Sequence, residues 1–70
     1  MTFKQAVRKA HKLFGNEAIV MHEHKWSNVY HRPLHDYWIF GDSGKSLIAH
    51  VETSFDDLFA DARKRQGVSA

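Results

Sequence analysis

The chain has 70 residues, no cysteine and a formal net charge of +2. A chain of this length forms one domain with a small core, and without cysteine neither disulfides nor thiolate metal sites can stabilise it. An apolar content of 43% is typical of a globular domain and argues against disorder. No apolar run approaches the roughly 18 residues of a membrane-spanning helix, and no signal-peptide pattern is visible. We therefore expect a soluble, cytoplasmic protein, for which self-association is one way to gain stability.

The first predicted element is a helix that begins after Thr2. Thr2 and Gln5 have the spacing of a capping box, and Gly15 is placed to end the helix. Between them, apolar residues recur every three or four positions and predict one buried stripe: Phe3, Ala6, Val7, Ala10, Leu13 and Phe14. The other side of this helix carries basic residues: Lys4, Arg8, Lys9 and Lys12.

Residues 17–26 predict the first strand, which is polar toward its end. Alternation places Ile19 and Met21 on one side of it; the other side holds Ala18, Val20, His22, His24 and Trp26. A connection follows over residues 27–35, where Pro33 restrains Arg32 to extended backbone. A connection of this length in so small a domain is a candidate binding loop.

Two apolar segments joined by turn residues at 41–45 predict a β-hairpin. We favour a three-residue loop with Gly44 in the left-handed conformation, which places Ile39 opposite Leu47 and Trp38 opposite Ile48. The core side is then Tyr37, Ile39, Leu47, Ala49 and Val51, and the other side is Trp38, Phe40, Ile48 and His50. A two-residue turn at Ser43 and Gly44 would shift the pairing by one and bring Trp38 and Phe40 to the side of Leu47 and Ala49.

A second helix is predicted after Thr53 or Ser54, either of which can cap it. Its apolar stripe is Phe55, Leu58, Phe59 and Ala62. The complete pattern predicts an α+β fold with two layers in the order αβββα, in which both helices pack on one face of a three-stranded antiparallel sheet. Residues 1–66 form this single domain, and we expect residues 67–70 to fray.

The chemistry-bearing residues do not predict catalysis, a cofactor or a small-molecule substrate. His22 and His24 have a spacing that can chelate a metal, which His31, His35 or His50 would complete, but no carboxylate stands at a ligand spacing. We therefore predict no metal site. The segment 41–46 (GDSGKS) lacks the spacing of a phosphate-binding loop and joins two strands, and no nucleophile motif is present. The protein is predicted not to be an enzyme.

Two binding functions are predicted instead. The first is a protein-protein contact, or a homodimer, through the sheet face opposite the helices. Val20 is expected on this face. A cluster of His22, His24 and His50 on the same face would make association depend on pH. Its partner-binding residues are Trp26, Trp38, Phe40, Ile48 and His50. The alternative is nucleic-acid binding, because residues 1–35 carry a net charge of +4 and residues 36–70 a net charge of −2. That surface would consist of Lys4, Arg8, Lys9, Lys12, Tyr30, His31 and Arg32.

The order helix, three strands, helix resembles that of double-stranded RNA-binding domains over the whole chain. Those domains have a lysine-rich start to the last helix, whereas this chain has the segment 55–59 (FDDLF) there. The two aspartates would repel the phosphates that such domains bind, so the resemblance is one of architecture. The size and the absence of cysteine are also typical of accessory proteins of phages and mobile elements, which often act by blocking a host complex.

Overall fold

A computed structural model describes residues 1–65, except for the side chain of Ser43. The tail predicted at 67–70, and the domain limit at 66, lie outside the described residues. The elements are α1 (Phe3–Phe14), β1 (Ile19–Ser27), β2 (Arg32–Gly41), a 3-10 turn (Asp42–Gly44), β3 (Ser46–Val51) and α2 (Phe55–Arg65). The strands form one antiparallel sheet in the order β1-β2-β3, which confirms the predicted α+β fold.

Local hydrogen bonds explain where the helices begin and end. The Thr2 hydroxyl accepts a bond from the Gln5 amide at 3.2 Å, and the Gln5 side-chain carbonyl accepts one from the Thr2 amide at 2.8 Å. Gly15 ends α1 with a φ of 99°, a conformation that favours glycine. For α2 the cap is Ser54, whose hydroxyl accepts a bond from the Asp57 amide at 3.2 Å.

Both helices pack on one face of the sheet and run in the same direction. The rings of Phe3 and Phe55, which begin the two helices, are 6.2 Å apart, and further along Lys9 Nζ lies 4.8 Å from the centre of the Phe59 ring. Within residues 1–65, half of the ten buried residues between the helices and the sheet are alanine: Ala6, Ala10, Ala18, Val20, Ile39, Ala49, Phe55, Leu58, Phe59 and Ala62.

The connection predicted at 27–35 is wrong in length. β2 begins at Arg32, so only residues 28–31 form the turn, and Pro33 pairs with Trp26 inside the sheet. β3 ends at Val51, which pairs with Tyr37, so the part of β2 before Tyr37 has β1 as its one neighbouring strand. Pro33 lies in this part of β2, and a proline is tolerated in a strand that has a neighbour on one side only. The last part of β1 and the first part of β2 therefore form a two-stranded ribbon that extends past the helices.

The hairpin register also differs from the predicted one. The loop has four residues, with Gly41 paired to Ser46, and a β-bulge follows, because Phe40 pairs with Leu47 while Ile39 pairs with Ala49. The longer loop shifts the pairing by one residue and the bulge shifts it by one more. Ala49 and Val51 consequently keep their predicted face, whereas Leu47 and Ile48 exchange faces.

Within residues 1–65, the structure contains no helix that is long and apolar enough to cross a membrane.

Candidate functional site

The candidate site is the face of the sheet on which neither α1 nor α2 packs, which we call the open face. Alternation along the paired strands places one apolar cluster on it: Ile19, Met21, Trp38, Phe40 and Leu47. Ile19, Met21 and Leu47 are 42%, 47% and 51% exposed, although each is a large apolar side chain. Trp38 and Phe40, which lie on the central strand between them, are half-buried. The cluster is therefore continuous across all three strands.

The structure confirms part of the predicted face. Trp38, Phe40 and His50 lie on the open face as predicted. Ile48 does not, because the bulge turns its side chain toward the helices, where it packs against the core. Trp26 and Val20 also lie on the helix side, in register with Pro33 and Ile39. No periodic pattern in the sequence marks a bulge, which is why Ile48 and Leu47 were assigned to the wrong faces.

Beside the apolar cluster, the open face carries a buried carboxylate that sequence reasoning missed. Asp36 is only 6% exposed. Its Oδ1 atom accepts a hydrogen bond from His50 Nε2 at 3.2 Å, and Lys25 Nζ lies 3.9 Å from Oδ2. The His50 ring in turn stacks on Trp38, with the ring centres 5.1 Å apart. This network fixes Trp38 and gives the apolar cluster a polar border along one side.

Three of the other histidines lie on the opposite side of the sheet. His22, His24 and His35 project on the helix side, near the start of the ribbon, so the predicted cluster of His22 and His24 with His50 is wrong. His24 stacks on His35 at 4.2 Å between ring centres, and His22 stacks on Tyr37 at 4.4 Å. His22 Nε2 and His35 Nδ1 are 3.3 Å apart and share a hydrogen bond. We call His22, His24, His35 and Tyr37 the histidine array.

The histidine array is not arranged as a metal site. The rings of His24 and His35 are within 7° of parallel, so their in-plane lone pairs cannot converge on one ion. No group of three or more histidine, aspartate or glutamate side chains in residues 1–65 has an arrangement suited to a metal ion.

The residues of the predicted nucleic-acid surface lie in two separate places. The basic residues of α1 are exposed along that helix: Lys4, Arg8, Lys9 and Lys12. Tyr30, His31 and Arg32 lie at the tip of the ribbon, where the Arg32 guanidinium is 5.7 Å from the Tyr30 ring centre. Phe55 contacts both His22 and Phe3, the first residue of α1. The start of α1 therefore lies beside His22 along the direction of the strand. The end of β1 is five residues farther on, about 17 Å along the strand.

A shallow groove lies at the other end of the sheet, under the last turn of α1. It is lined by Leu13, Phe14, Gly41, Asp42, Ser46 and Ile48. Asp42 is the one ionisable side chain among these lining residues, so the groove brings no acid and base together.

Comparison with known proteins does not extend these observations. No family model matches the chain, and neither a curated protein nor a solved structure matches it. The class that the fold and the open face define is a small α+β domain, and its function is argued from the geometry alone.

Proposed function

We propose that this protein is a small non-catalytic binding module that docks a protein partner on its open face. The observation that carries the proposal is the exposure of Ile19, Met21 and Leu47 around Trp38 and Phe40 on one side of the sheet. Contiguous exposed apolar side chains are candidate contact surfaces for other proteins. Trp and Met are also among the residues enriched where interfaces concentrate their binding energy.

The size of the cluster indicates what the partner must supply. Full burial of one large apolar side chain contributes about 1.5–3 kcal/mol, so covering three that are half exposed contributes about 2–4 kcal/mol in total. The cluster spans three strands and about three residues along the strands, a flat area of roughly 150 Å². A standard specific interface buries about 800 Å² on each partner. The partner therefore contacts the polar border as well, where Glu23, Lys25 and Asp36 lie.

The test compares two variants of equal charge change. Met21→Asp introduces a carboxylate in the middle of the exposed cluster, whereas Ser46→Asp introduces one at an exposed position of β3 outside it. Each variant and the wild type is used to recover proteins from cells of the source organism, and recovery is measured quantitatively. We expect at least one protein to be recovered by the wild type and by Ser46→Asp but lost with Met21→Asp.

Two results would decide against the open face. A set of recovered proteins that is indifferent to Met21→Asp would show that this face docks nothing, provided that circular dichroism shows both variants folded. Light scattering separates docking of a different protein from self-association on this face, since only self-association on this face gives the purified wild type a mass that Leu47→Asp, on β3 and away from β1, would lower.

A second function, nucleic-acid binding, is favoured by one feature of α1. Residues 1–16 contain four basic residues and no acidic one, so the exposed side of this helix has a single sign of charge. Lys4, Arg8 and Lys12 are four residues apart, which places them about 6 Å from one another along the helix. A line of cations with this spacing suits a phosphate backbone.

This second function is separated from the first by charge reversal. Lys4→Glu with Arg8→Glu should abolish binding to a labelled oligonucleotide, and the affinity of the wild type should fall steeply with added salt. Lys45→Glu with Lys64→Glu changes the net charge equally on other elements and should retain binding. If the wild type shows no salt-dependent binding to single- or double-stranded DNA or RNA, this function is wrong.

A further inference from the structure

The outer edge of β1 is long, and no other strand of residues 1–65 pairs with it. β1 is an edge strand of nine residues, Ile19–Ser27, that contains no glycine or proline, and its register with β2 continues without a bulge. Within residues 1–65, the backbone hydrogen bonds outside the helices and the sheet involve none of these nine residues. The other edge, β3, has six residues and is interrupted by the bulge. Natural proteins usually interrupt or cover long edges, because such edges pair with other strands.

We propose that β1 pairs in antiparallel fashion with β1 of a second copy of this chain, so that two sheets become one sheet of six strands. The two copies are then related by a two-fold axis normal to the sheet. Such an axis keeps each residue on its own face of the sheet, and two residues directly opposite each other in a strand pair lie on the same face. The axis must therefore pass through the position of one residue, which pairs with the same residue of the second copy.

The charges on β1 select the register centred on His24. In that register Glu23 of each copy lies opposite Lys25 of the other, which makes two complementary pairs across the new strand pairing. A register centred on Glu23 would place the two glutamates face to face, and one centred on Lys25 would do the same with the lysines. Opposite charges directly across a strand pair stabilise it, and like charges destabilise it. Glu23 and Lys25 also discourage pairing with unrelated strands.

The position of α1 selects the same register independently. α1 covers β1 only as far as His22, and its 12 residues span about 18 Å. With the axis at His24, the midpoints of the two α1 helices, each near Val20, are eight residues apart along the strands, about 26 Å. The helices then do not overlap. With the axis at His22 the midpoints are only about 13 Å apart, on strands about 4.8 Å from each other. The helices would collide, because packed helices require 8–10 Å.

This arrangement also covers a side chain that the isolated chain leaves exposed. Trp26 is 61% exposed on the helix side of the ribbon. In the register centred on His24 it lies directly opposite His22 of the second copy, within stacking distance. Phe3, which is 49% exposed at the start of α1, approaches the same region from that copy. The paired segment is Met21–Ser27 of each strand, so the association joins seven residues on each side.

The inference does not depend on the proposed function. The open faces of the two copies lie on the same side of the six-stranded sheet, so pairing at β1 leaves both available to a partner. A result that disproves docking on the open face would not affect the proposed pairing of the β1 edges, which has a test of its own.

The test is a charge exchange measured by analytical ultracentrifugation over a series of protein concentrations. We expect a reversible dimer for the wild type. E23K and K25E should each weaken it about tenfold or more, since each variant places like charges at two symmetric positions. The double variant E23K/K25E should restore the dimer, because it exchanges the charges without losing their complementarity. Lys45→Glu, with the same charge change as K25E on another element, should leave it unchanged.

A cross-linking measurement covers the case in which a charge variant fails to fold. His24 lies on the axis, so the two Cβ atoms of His24→Cys would be about 5 Å apart and would form a disulfide between copies under mild oxidation. Lys45→Cys serves as the control, since the chain has no cysteine of its own. A wild type that is monomeric at all concentrations would overturn the proposal. A dimer that E23K/K25E does not restore, or equal cross-linking of both cysteine variants, would also overturn it.

Discussion

The Cδ1 atom of Ile48 lies 3.0 Å from the point that a Cβ atom on Gly41 would occupy. The β-bulge in β3 turns Ile48 toward the helices, and the side chain then fills the space next to the backbone of Gly41. The φ of Gly41 is −110°, which any residue adopts. A side chain at this position would therefore meet the end of the Ile48 side chain, which would have to move by a few tenths of an ångström.

Gly41→Val should destabilise the protein by about 1–3 kcal/mol, because the new side chain has to displace Ile48 or straighten the bulge. In a domain of this size that corresponds to a fall in Tm of about 4–8 °C for each kcal/mol. Thermal unfolding followed by circular dichroism measures the change. Ser46→Val, at the exposed position paired with Gly41, is the matched control and should shift Tm little. Equal shifts for the two variants would disprove the steric argument.

A pair of alanine substitutions tests the register of the hairpin. Ile39 is fully buried, and Ile39→Ala should cost about 2–5 kcal/mol of unfolding free energy. Leu47 lies on the open face and is 51% exposed, so Leu47→Ala should cost at most about 1 kcal/mol. Urea denaturation gives both values. A cost for Leu47→Ala close to that of Ile39→Ala would favour the three-residue loop, in which Leu47 belongs to the core.

The buried carboxylate on the open face makes a separate contribution to stability. Asp36→Asn removes the charge that His50 and Lys25 face but keeps the volume of the side chain. We expect a loss of at most about 1.5–3 kcal/mol, the usual magnitude for a hydrogen bond to a charged group. Urea denaturation at neutral pH measures it, with Asp42→Asn in the exposed turn as the control. If the two variants are equally stable, the network around Asp36 contributes nothing.

Removal of the His35 ring should destabilise the protein. His35 shares a hydrogen bond with His22 and stacks on His24. His35→Gln removes the ring that makes both contacts, and we expect a loss of about 0.5–1.5 kcal/mol of unfolding free energy, the usual net magnitude for one hydrogen bond.

The measurement is Tm at one fixed pH for the wild type, His35→Gln and His31→Gln. His31→Gln, in the exposed turn, should shift Tm little. A Tm for His35→Gln that matches that of the wild type would contradict the prediction.

Much of the fold follows from local signals. The capping box at Thr2, the glycine at position 15 and the stripe over Phe55–Ala62 each act within a few residues, so the two helices were predictable. The predicted stripe of α1 is only partly buried, since Phe3 and Leu13 are 49% and 51% exposed. Alternation along β1 grouped Ile19 with Met21 correctly, but the predicted open face contained Val20 and Trp26, which the structure places on the helix side. The same reasoning assigned the start of β2 to a loop, because Pro33 argues against a paired strand, and only the early end of β3 explains why it is tolerated.

The sequence by itself determined the order αβββα, the basic side of α1 and the presence of more aromatic residues than one small core can hold. The tertiary structure decided which of them face outward. One added loop residue and one bulge placed Leu47 on the open face and turned Ile48 toward the core. Strand pairing, which joins residues distant in sequence, separated His50 from His22 and His24 and buried Asp36. Side-chain alternation is local, but register depends on packing between strands, and register determined the composition of the open face.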